Sequence, residues 1–176
     1  APPASDTGLP DAQGPVGTGP DGVTLNGPDT RGGGQITVTL DHVTRTGGLL
    51  LGQLTVTTGP GGTGNAFLSS WLTDSSVLLA NSRGEGGTDA MGASSGLTLL
   101  ADGQRVYPAD YLPPVIDRHR PLTEQTLTST LKEGATTTVC VVWPDTGQDT
   151  VTLDHPGHKN NLSYVFRLTD IPVITA

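Results

Sequence analysis

Only one of the 176 residues is a cysteine, Cys140. No intrachain disulfide can form, and a thiolate-rich metal site has too few ligands. Aromatic side chains make up 4% of the chain, so the core must come from Leu, Val and Ile. Cationic residues are scarce: Lys and Arg total 9 against 17 Asp and Glu, a formal charge of −8. Nucleic acid and anionic membranes both require a basic surface, and this composition offers none. No apolar run approaches the roughly 18 residues of a membrane-spanning helix. Helical periodicity is absent throughout.

What the chain has in quantity is glycine, 25 residues, and proline, 14. They concentrate first in residues 1–34, in Gly14-Pro15, Gly19-Pro20-Asp21-Gly22, Gly27-Pro28-Asp29 and Gly32-Gly33-Gly34. Few side chains there can bury area, so the composition predicts an extended arm that is mobile in isolation. The opening Ala1-Pro2-Pro3-Ala4-Ser5 reads like a mature chain cut after a small residue, although a trimmed chain reads the same. With little lysine and much Gly, Pro and Thr, it predicts an extracellular or cell-surface protein.

From Gln35 to the last residue the texture is that of strands. Ile36, Val38 and Leu40 alternate with Thr37, Thr39 and Asp41, a period of two with one wet face. Gly47-Gly48 turns the chain into Leu50–Thr57. Ala66–Leu72 carries Phe67 and Trp71, and Val77–Ala80 is a further short strand. Asp102-Gly103 suits a two-residue hairpin turn, since both positions tolerate positive φ. Pro108–Pro121 reads as an irregular crossover. Thr126–Leu131, Thr136–Trp143, Thr150–Leu153, Leu162–Leu168 and Ile171–Ile174 complete the set. The expectation is an all-β, antiparallel immunoglobulin-like sandwich over 35–176, preceded by the arm 1–34; a closed barrel has the same strand count. One echo stands out. Gln35–His42 matches Gln148–His155 at all but one position.

The order of Asp41-His42-Val43, Ala101-Asp102-Gly103-Gln104-Arg105-Val106-Tyr107, Leu131-Lys132-Glu133-Gly134, Val139-Cys140-Val141-Val142-Trp143-Pro144 and Phe166-Arg167-Leu168 resembles a known family. It is similar to the immunoglobulin-like, telokin-like domains of unknown function in bacterial surface lipoproteins and exported proteins. The resemblance implies a non-enzymatic extracellular module and supplies no site residues. Those lipoproteins carry an N-terminal Cys, whereas residue 1 here is Ala, so lipid anchoring is not implied.

Chemistry-bearing motifs are weak. Gly92-Ala93-Ser94-Ser95-Gly96 is not a nucleophile elbow, and no catalytic set is expected from Ser94, Ser95 or the four histidines His42, His119, His155 and His158. Asp154-His155-Pro156-Gly157-His158 could chelate zinc but reads better as an exposed polar turn. Asp145, Gln148 and Asp149 lack a full calcium loop. No metal or cofactor is expected. Two features point to contact. Tyr107, Asp110, Tyr111, Arg118, His119 and Arg120 mark a recognition loop on the crossover. Val23, Thr24 and Leu25, isolated in the arm, could add a strand to the sheet edge of another copy and build a filament or array. The expected partner is a protein, copies of itself included, with carbohydrate the alternative ligand.

Overall fold

The computed structural model describes residues 9–26, 34–60, 96–111, 114, 120–121, 132–156 and 165–176. The described residues are strands, turns and connecting segments, with no helix. The expected strands at 66–72, 77–80 and 126–131 lie outside them.

Two short strands come first, β1 (Val16–Thr18) and β2 (Val23–Asn26). Then follow β3 (Gln35–Thr39), β4 (Val43–Thr46) and the long β5 (Leu49–Thr58). The hairpin pair β6 (Thr98–Ala101) and β7 (Gln104–Val106) precedes the two-residue strands β8 (Asp110–Tyr111) and β9 (Arg120–Pro121). β10 (Thr136–Pro144), β11 (Thr150–His155) and β12 (Phe166–Thr175) close the chain.

One sheet connects all of these except β8 and β9, which pair only with each other. In its first half β5 is central. One edge of β5 pairs with β10, while the other pairs with β4 and then with β3, which in turn carries β2. In the second half β12 and β11 lie side by side, followed by β6 and β7. Strand β12 belongs to both halves: its first residues pair with β1 and β11, its last with β4. Its pairing with β11 runs from Phe166 to Pro172, past an irregularity at Asp170, whose φ is 54°, and its pairing with β4 begins at Val173.

The antiparallel expectation holds for most pairs and fails for two. Strands β1 and β4 both run parallel to β12. Parallel neighbours need a long connection between them, and here nearly the whole chain separates the strands. Pattern along one strand carries no record of such a partner.

Turn chemistry behaves as the residues dictate. Gly47 and Gly48 have φ of 55° and 80°, Asp102 and Gly103 have 50° and 74°. Both central positions are left-handed in each case, which matches the twist of a two-residue hairpin. Strands β3 and β4 lie along the same edge of β5, interrupted by a bulge. Thr39 faces Thr55 and Val43 faces Gly52, so Leu40, Asp41 and His42 oppose only Gln53 and Leu54.

Alternation sorts the side chains. Leu50, Leu54 and Val56 of β5 meet Val139, Val141 and Trp143 of β10 on the inner face, and Leu99, Leu153, Phe166 and Leu168 come from the second half; all join a single apolar cluster. The Trp143 indole N–H donates to the Leu97 carbonyl at 2.8 Å, tying one half to the other through the core.

The arm is a different finding from the one expected. Residues 16–18 and 23–26 are strands of this chain's own sheet, and Leu25 is buried. Composition misled because the glycines serve close approach. Gly19 donates its N–H to the Thr169 carbonyl at 2.7 Å and accepts from the Leu40 N–H at 2.9 Å. A Cβ on Gly19 would collide with Ile171 and the Leu40 carbonyl. The residue thus fills the gap between the bulge and β12, a space only glycine fits.

Candidate functional site

Two groups of side chains are candidates for a site: the buried ions of the second half, and the outer face of the first.

On β11, Leu153 points into the core, so Asp154 points to the opposite face. There it stands in register between Thr98 of β6 and Arg167 of β12. Arg167 Nε donates to Asp154 Oδ1 at 2.9 Å, and Arg105 donates to Oδ2 at 2.8 Å. Arg105 also reaches the Thr98 hydroxyl at 2.6 Å, and that hydroxyl donates to the Asp154 carbonyl at 2.8 Å. Arg167 extends to the Pro10 carbonyl at 2.6 Å, which fastens the residues before β1 across this face. Each Asp154 oxygen accepts from a guanidinium group, and the side chain is only 3% exposed. The arrangement is a structural ion triad. His155, next in the chain, turns inward. Its Nδ1 lies 3.1 Å from the Gly96 carbonyl and its ring packs at 5.7 Å against Phe166. The polar turn expected around Asp154-His155 is therefore corrected: both residues are buried in a strand. His158 lies outside the described residues.

Asp145 is likewise engaged. Arg45 Nε donates to both of its oxygens, at 2.9 and 3.1 Å, and a further Arg45 N–H reaches the Gln148 carbonyl at 2.6 Å. The Gly147 amide donates to the same carboxylate, and with Arg45 it holds Asp145 below the ordinary aspartate value of 3.8. This locks the β10–β11 loop onto β4. Among the described residues, no group of three or more His, Cys, Asp or Glu could hold a metal ion. No helix among them is long and apolar enough to cross a membrane.

The outer face of the first half has another character. Its side chains stand in lateral rows fixed by strand register. Thr24, Thr37, Thr57 and Thr136 form one row across β2, β3, β5 and β10. The hydroxyls of Thr24 and Thr37 are 3.1 Å apart, those of Thr57 and Thr136 3.4 Å. The next row is Thr39, Thr55 and Thr138. Beyond Gln53 and Cys140 the face becomes apolar: Ile174, Thr44, Leu51 and Val142 lie side by side, then Thr46, Leu49 and Pro144. Leu51 is 40% exposed and Ile174 48%. No side chain in these rows is charged, and none is buried. Sequence reading missed this surface. Its signal was present in the Thr-x-Thr spacings of 37–39, 55–57 and 136–138, but only register brings them together.

The residues expected to form a recognition loop are partly placed. Tyr107 is half-buried just after β7. Asp110 and Tyr111 are in β8, where they pair with Pro121 and Arg120 of β9. The crossover is fastened to β10 by the Ala109 amide, which donates to the Val142 carbonyl at 2.7 Å. Arg118 and His119 lie outside the described residues, as do Ser94 and Ser95. Val23, Thr24 and Leu25 are in β2, paired with β3 of the same chain.

No protein-family model matches this chain, and neither curated proteins nor solved structures yield a match.

Proposed function

We propose that this chain is a non-enzymatic interaction module of an exported or cell-surface protein, folded as an immunoglobulin-like sandwich. The observation that carries the reading is the uncharged, exposed face of β2, β3, β5 and β10 with its apolar extension onto β4 and β12. Charged residues make up 15% of this chain, and none of them falls in these rows. The centre of a protein–protein contact is depleted of them, with charge confined to the rim. Here Asp41 and His42 in the bulge, and Lys132 and Glu133 in the turn before β10, stand outside the rows. The described carboxylates Asp145 and Asp154 are held by arginines, which supports a structural use for them. Two sheet halves closing on one core support the sandwich. The low lysine content supports export.

Photo-crosslinking in the source cells tests the reading. A photoreactive residue placed at Thr57 or Leu51 should give protein adducts that the same residue at exposed Asp11 or Asp102 does not. Equal labelling at all four positions, or none at the face, refutes it.

A further inference from the structure

The net charge of the chain bears on what this face can meet. With a net charge of −8, two copies repel wherever charged surfaces meet. They approach at least cost where neither presents a charge. The face is also about the right size. Strands lie roughly 4.8 Å apart and rise about 3.4 Å per residue, so four strands of β5's length cover on the order of 500–650 Å². A standard interface buries about 800 Å² per partner, rim included.

We propose that the outer face of the first half-sheet is a homodimer interface, in which two copies stack face to face about a two-fold axis running along β5. The proposal rests on the reading of this face as a contact surface. That axis is the choice that sets like against like. Leu51, on the axis, meets Leu51 of the second copy, Val142 and Thr44 meet each other, and the threonine rows meet each other. Apolar area is then removed from water near the Leu51 end, and hydroxyls already bonded within their rows are set against hydroxyls. An axis across the strands would press threonines onto leucines. Strands in the two stacked sheets then run nearly aligned, the usual geometry of sheet-on-sheet packing. An isologous contact of this kind closes on itself, so it makes dimers and not filaments.

Sedimentation of the purified full chain over a concentration series tests this. A monomer–dimer equilibrium is expected that tightens as salt is added, because screening weakens the repulsion between two acidic chains. Leu51→Lys and Thr57→Lys should each weaken the dimer at least about tenfold, since each buries an unpaired ammonium. Both side chains are outside the core, so melting temperature checks that the fold is kept. Asp11→Asn makes the same change in net charge away from the face and should leave the dimer intact or slightly tighter. A monomer at every concentration and salt, or lysine variants that dimerise like the parent, overturns the proposal. If that happens while face-specific adducts to other proteins still form, the homodimer fails alone and the contact reading stands.

Discussion

Asp154 and Asp41 occupy the same place in two nearly identical stretches of sequence, each followed by His, yet their surroundings are opposite. Asp41 and His42 are exposed in the bulge, whereas Asp154 and His155 are 2% exposed. Eight residues of local pattern could not distinguish them, because the difference lies in Arg105 and Arg167, which arrive from other strands. Asp154→Ala leaves two guanidinium groups without their anion. We expect a loss of about 3–5 kcal/mol, the usual cost of breaking a buried ion pair from one side. Urea unfolding measures it. Replacing Arg105, Asp154 and Arg167 together by apolar residues of similar volume should cost far less, or even stabilise the chain. Asp145 supplies a pH dependence of known sign. Its carboxyl is held low by the Gly147 amide and then by Arg45, so the ionised form favours the folded state. That contribution is complete above the unfolded aspartate range near pH 4 and is lost as pH falls through the lower folded value. Acid titration of stability should therefore show a limb that Asp145→Asn flattens.

At the scale of elements, the strands with a clear period of two were legible from the order of residues alone. Ile36 and Val38 point inward and Thr37 and Thr39 outward, as alternation requires. The Asp102-Gly103 hairpin was equally plain. Strand β1 was not, and Val23–Leu25 of β2 was read as a strand but with another copy as its partner. A strand of three or four residues has no room for periodicity, and glycine content reads as disorder unless one knows which atoms crowd the site. Deleting residues 1–26 should consequently destabilise the domain and not merely shorten it. Leu25 alone contributes about 2–3 kcal/mol of burial, and its loss uncovers Ile36 and Val38. Circular dichroism on heating should show a clearly lower midpoint, and an unchanged one would restore the picture of a loose arm. Gly19→Ala should cost about 1–3 kcal/mol through overpacking against Ile171 and the Leu40 carbonyl.

For the molecule as a whole, fold class was legible and topology only partly so. Hydrophobic alternation specifies which face of a strand is wet, but it does not specify the neighbour. The uncharged face shows the same limit, since each of its rows collects residues from three or four separate strands. The parallel pairing of β1 with β12 has a mechanical consequence. These strands lie near opposite ends of the chain and point the same way. Tension applied between residues 9 and 176 drags them past each other along their length, so their hydrogen bonds share the load and must rupture together. Pulled instead across the β6–β7 hairpin, the bonds open one at a time, as a zip does. Single-molecule stretching should find the first direction markedly stronger, which is a useful property in anything held at both ends.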